Sequence, residues 1–128
     1  MDRIRFIAHQ GKRILLVDLT NCRAKELAAV SKLVPSYVTA EPRNSVLLLA
    51  DFTGAQFDRE ALEVIKKGTV FDRPHLKRSA WVGTDSIPKA FFDAIKTFSL
   101  RQLPAFTTRD EALDYLAEQE PQKLASPA

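Results

Sequence analysis

Acidic and hydroxyl residues recur in this chain just after short apolar runs: Asp18-Leu-Thr20-Asn21, Asp51-Phe-Thr53-Gly54, Gly83-Thr84-Asp85 and Thr107-Thr108-Arg109-Asp110. If those runs are strands of an open α/β sheet, the polar groups stand beyond the carboxyl ends of the strands, where such sheets bind ligands. Asp and Thr gathered on one rim can hold a cation, a phosphate or a partner's backbone. Taken singly, each residue also fits a helix start or a tight turn, which need the same residue types whatever the function. A site therefore requires several of them to converge on one spot.

Other chemistries find less support. A phosphoryl-accepting receiver layout needs an acidic pair at one strand end, an acceptor Asp at another and a Lys at the last. Here Asp18 has no acidic neighbour in sequence, Thr84 and Asp51 stand alone, and no Lys lies near Phe106. His9 and His75 are not paired in sequence with a nucleophile and read as surface residues. No Gly-rich phosphate loop, H-E-x-x-H or G-x-S-x-G occurs, and 4 glycines leave little material for such loops. The reading is that there is no catalytic constellation, no metal site and no cofactor.

The elements that must position the rim follow from periodicity. Arg3-Ile-Arg-Phe-Ile-Ala8 alternates charged and apolar residues, the pattern of an edge strand with one wet face. Gln10-Gly11 turns the chain into Arg13–Leu19, a strand covered on both faces. Thr20-Asn21 is expected to cap a helix with Leu27, Val30, Val34 and Tyr37 inward, kinked or broken at Pro35. Ser45–Asp51 reads as a central parallel strand. Asp58 caps the next helix, with Leu62 and Ile65 inward, weakened at Gly68 and ended by Pro74 at the latest. Arg78–Val82 is a fourth strand holding Trp81 in the core. Pro88 opens a helix whose buried stripe is Phe91, Phe92, Ile95 and Phe98. Ala105–Thr107 is a fifth strand, and Thr108-x-x-Glu111 is a capping box for a last helix with Ala112, Leu113 and Leu116 inward.

The order β-β-α-β-α-β-α-β-α predicts one α/β domain, residues 1–118, with a mixed, mostly parallel five-stranded sheet and helices packed on its faces. Residues 119–128 read as a flexible C-terminal tail. A chain of 128 residues, 45% hydrophobic and 27% charged, is long enough to bury a core without staples. The net charge of +3 is too small and too dispersed to predict nucleic-acid binding. The single cysteine, Cys22, excludes an internal disulfide and fits a reducing cytoplasm. No apolar run approaches the ~20 residues that span a bilayer, so membrane insertion is not expected.

The stretch Val46-Leu-Leu-Leu-Ala-Asp51-Phe-Thr-Gly54-Ala-Gln-Phe57-Asp58 resembles the strand-loop-helix signature of the STAS superfamily of sulfate transporters and anti-sigma-factor antagonists. Ser79-Ala-Trp-Val-Gly83, Phe98-Ser-Leu-Arg101, and Phe106 with Glu111-Ala-Leu-Asp-Tyr-Leu116 look like a bacterial group of STAS/SEC14-domain proteins, so the resemblance covers about residues 3 to 118. It implies a domain that binds another protein or a small ligand. In the anti-sigma-factor antagonists the loop carries Asp-Ser-Ser-Gly with a phosphorylated serine. The corresponding Asp58-Arg59-Glu60-Ala61 has no hydroxyl, and Glu60 can at most imitate a constant negative charge.

The resulting expectation is a non-catalytic protein-interaction or regulatory module, cytoplasmic, with Asp51, Thr53, Gly54, Phe57, Asp58, Glu60, Gly83 and Thr84 at its contact site. The alternative is a small-ligand domain, for a nucleotide or a lipid, using the rim or a pocket beside Phe91, Phe92 and Trp81. A homodimer through the opening edge strand is compatible with either, although Arg3 and Arg5 discourage open-ended pairing.

Overall fold

Charge alternation sets the first element. Ile4–His9 forms β1 at one edge of the sheet, paired antiparallel with β2, Lys12–Asp18. The two turn residues between them both have left-handed backbone, φ 51° at Gln10 and 79° at Gly11, as the tightest hairpin turn requires. In this computed structural model residues 2–100 and 103–118 are described, and the expected tail from residue 119 lies outside them.

Three further strands, β3 (Val46–Asp51), β4 (Leu76–Val82) and β5 (Ala105–Phe106), add in parallel, giving the order β1-β2-β3-β4-β5. Four helices separate or follow them: α1 (Ala24–Val38), α2 (Arg59–Asp72), α3 (Lys89–Ser99) and α4 (Arg109–Ala117). The fold is the mixed, mostly parallel five-stranded α/β class that the sequence pattern predicts.

Strands that add in chain order through crossovers of one hand place every crossover helix on the same face. The two cores follow that rule. Leu15, Val17, Leu48, Ala50 and Trp81 point to α1, α2 and α3 in the larger core. Ile14, Leu16, Leu47, Leu49, Ala80 and Val82 alternate to the opposite face, where they meet Ala112 and Leu116 of α4, with Leu113, Tyr115, Phe106 and Ile7 packed around them. β3 is buried at all six positions, because both its faces are covered.

Several local expectations need correction. α1 starts at Ala24 after Arg23, which makes no side-chain cap. The Thr20 hydroxyl is instead committed to Asp18, and Asn21 sits in the left-handed region at φ 56°. α1 also runs through Pro35 without a break. The lost backbone bond is outweighed by the burial of Leu27, Val30, Val34 and Val38 on the sheet, and the Pro35 ring packs beside Gly68 of α2. Phe98 lies outside the buried stripe of α3, 44% exposed, with the Lys66 ammonium 4.4 Å from its ring centre. β5 stops at Phe106, one residue earlier than expected.

Candidate functional site

Asp18 and Asp51 end adjacent strands and are partners in the sheet register. They have the same parity as Leu16 and Leu49, so both carboxyl groups emerge on the α4 face. There the first residue of α4, Arg109, reaches between them. Its Nε donates to Asp51 Oδ2 at 2.6 Å, and its Nη2 lies 3.0 Å from Asp18 Oδ1.

The two strand ends are also built alike. In each, the Thr two residues after the Asp donates both its backbone N–H and its hydroxyl to the Asp Oδ1. The distances are 3.1 and 2.7 Å for Thr20 to Asp18, and 3.0 and 2.7 Å for Thr53 to Asp51. Such Asx-type turns fix the loop that follows a strand. From the other side of Asp18, Arg3 Nη1 donates to the carbonyls of Asp18 and Thr20.

Backbone bonds then lace the three rim loops together. Leu19 N–H donates to Asp51 O, Asn21 N–H to Thr53 O, Phe52 N–H to Val82 O and Gln56 N–H to Cys22 O. Gly54 N–H donates to Ser86 Oγ at 2.9 Å. Gly83, at φ 71°, lies so close that a Cβ there would collide with the Thr53 backbone N, and a Cβ on Gly54 would collide with the Asn21 side chain. Glycine is required at both positions for that closeness.

Of the site residues expected from sequence, Asp51, Thr53, Gly54, Gly83 and Thr84 converge on this rim. Asp51 is buried beneath it, Thr53 and Gly54 are exposed, and Thr84 opens the single turn Thr84–Ser86. The others serve elsewhere. Phe57 packs inward, its ring centre 5.6 Å from Phe52 and 6.5 Å from Phe91. Asp58 caps α2 by accepting from Ala61 N–H at 2.8 Å, and Glu60 is exposed in the first turn of that helix. Phe91 and Phe92 lean on the core, with Trp81 against Phe92 at 5.8 Å, and the cavity on that face is lined by Trp81 but by neither phenylalanine.

Sequence reasoning placed Asp18 and Arg109 on the rim without joining them. The signal that was available is the repeated Asp-x-Thr at two strand ends, which predicts twin turns. Nothing local predicts the guanidinium that spans them.

The charges are mutually compensated. Burial opposes ionisation of Asp18, but the Thr20 hydroxyl, the Thr20 N–H and the Arg109 guanidinium outweigh it and hold the carboxyl below the ordinary 3.8. Burial likewise disfavours the Arg109 cation, and Asp51 and Asp18 more than restore it, raising its pKa. Beneath the rim, burial pushes the Cys22 thiol up to about 11, which makes it a packing group and a poor nucleophile at neutral pH.

Among the described residues no group of three or more His, Cys, Asp or Glu is placed to hold a metal ion, and no helix is long and apolar enough to cross a membrane. Compared with family models, curated proteins and solved structures, the chain matches none.

Proposed function

We propose that this chain is a non-catalytic protein-interaction or regulatory module of STAS type, lacking the usual phosphoacceptor serine. Its contact surface is the loop from Asp51 to Phe57, the first turn of α2, and the neighbouring Gly83-Thr84. The observation that supports this reading is an exposed rim held in one conformation. Thr53, Gly54 and Gln56 are exposed on a loop laced to both neighbouring loops, and Asp58 and Glu60 are exposed at the start of α2 directly after it. A surface ordered before binding loses little conformational entropy when a partner docks.

The committed state of the carboxylates supports a binding role over a catalytic one. Asp18 and Asp51 are each engaged by a threonine and by Arg109, so the acidic groups at the strand ends serve the architecture of the rim. Asp58, Glu60 and Asp85 outnumber Arg59 among the exposed charges of that surface, which suits a partner that brings Lys or Arg.

Capture from native cells tests the reading, with Gln56→Arg and Thr53→Arg run beside the wild type. A near-stoichiometric protein lost in both variants, whose melting temperatures stay close to wild type, is the expected result. Gln56→Arg is the cleaner variant, because Thr53 also bonds Asp51. Equal capture by all three proteins would move the contact surface away from this loop.

A further inference from the structure

On the α1–α3 side of the sheet two buried side-chain oxygens have no hydrogen-bond partner among the described residues. Asp72, the last residue of α2, is 7% exposed and Ser79 of β4 is 5% exposed, and neither Asp72 Oδ1 nor Ser79 Oγ is bonded to any described residue. Leaving such groups unsatisfied in a core costs about 1–3 kcal/mol each, so the pairing of two at one place calls for a cause. Both line the same cavity. It has a volume of about 80 Å³ and is walled by apolar side chains of both layers, among them Val34, Leu48, Val64, Ile65 and Trp81.

We propose that this cavity is a binding site for a small uncharged molecule with an apolar body and one hydroxyl end. The hydroxyl sits between Asp72 and Ser79, and the body lies against Leu48, Ile65 and Trp81. The chemical class follows from the walls. A charged ligand would lose its hydration against an almost wholly apolar surface, and a purely apolar one would leave both polar atoms orphaned. A hydroxyl both donates and accepts, so one group can satisfy two partners. Burial pushes the Asp72 carboxyl up to about 7, so near neutral pH it offers a donor as well as acceptors.

Size limits the ligand further. An engineered cavity of about 150 Å³ holds benzene; one of about 80 Å³ takes a body of roughly three to five non-hydrogen atoms by the same scale. Entry runs between α1 and α2, because Ser31, Val64 and Gly68 line both this cavity and the surface groove outside it. The site is independent of the rim, on the other side of the sheet from Arg109.

Titration of methyl-labelled protein with 1-propanol, followed by NMR, tests the proposal, with 1-chloropropane as the hydroxyl-free control. The expected result is saturable shifts at Leu48, Val64 and Ile65. Ser79→Ala should weaken 1-propanol about tenfold, the equivalent of one hydrogen bond, and leave 1-chloropropane unchanged. Ser79→Val, which fills the space and suits a strand, should abolish saturable binding of both while the protein stays folded by Trp81 fluorescence. Absence of saturable shifts in the wild type would overturn the proposal and leave solvent as the occupant. Equal 1-propanol affinity in wild type and Ser79→Ala would overturn it too, since the polar pair would then anchor nothing. Shifts confined to residues of the outer groove would count the same way.

Discussion

The two faces of the sheet are held by different physics. On one, three helices cover a continuous apolar core that includes Phe52 and Trp81 with ring centres 4.7 Å apart. On the other, the nine-residue α4 buries only Ala112, Leu116 and Ala117 and is tied down by polar contacts at each end. Arg109 joins it to Asp18 and Asp51, Arg78 Nη1 donates to Tyr115 O at 2.8 Å, and His9 and Gln10 meet Asp114. A helix this short is not stable by propensity alone, so its position rests on that small apolar contact together with those tethers. The larger face has the reverse problem: ample apolar burial, with Asp72 and Ser79 stranded inside it.

The sharpest way to break the contrast is to remove the main tether. Arg109→Leu leaves the buried Asp51 without its cation, and losing one partner of a buried pair costs about 3–5 kcal/mol. The loss should be local. Hydrogen exchange should quicken through α4 and the rim turns while α1 and α2 keep their protection. Uniform loosening of both faces would erase the distinction.

On the other face the expected change is stabilisation. The folded pKa of Asp72, about 7, lies above the unfolded value of 3.8, so between those values the folded state binds the extra proton. Stability contributed by the protonated form is full below about 4 and is lost as pH rises through 7. Asp72→Asn removes that loss, and a gain of roughly 4 kcal/mol at pH 8, shrinking to none near pH 4, is expected. Denaturant midpoints at the two pH values measure it. A gain that is the same at both would mean that the carboxyl titrates alike in the folded and the unfolded chain.

The smallest effect sharpens the picture of α4. Thr108 caps it by accepting from Glu111 N–H at 3.2 Å, and Glu111 Oε1 accepts from Thr107 N–H at 3.2 Å. Thr108→Ala should cost about 1 kcal/mol, seen as a lower melting temperature. A cost well beyond that would give the cap a share now assigned to Arg109.

Local signals carried much of this architecture. The edge strand, the hairpin at Gln10-Gly11, the Asp58 cap and the Thr108 cap were legible because each depends on residues a few positions apart, although Glu111 reaches back to Thr107 N–H where a capping box would reach Thr108. Thr20 misled because its hydroxyl had two local uses, a helix cap or a bond to Asp18, and periodicity does not rank them. Pro35 misled because its intrinsic penalty is overridden by burial that only the assembled layers supply.

The order of elements, their alternating faces and the residue types at the strand ends were determined by the sequence itself, since period and turn chemistry act over short spans. Tertiary structure alone decided that Arg109 bridges two carboxylates, one of them 58 residues away in the chain. It alone brought Asp72 and Ser79 to one cavity. Neither juxtaposition has a local cause. Each exists because strands added in chain order put α4 on one face and the end of α2 against β4 on the other.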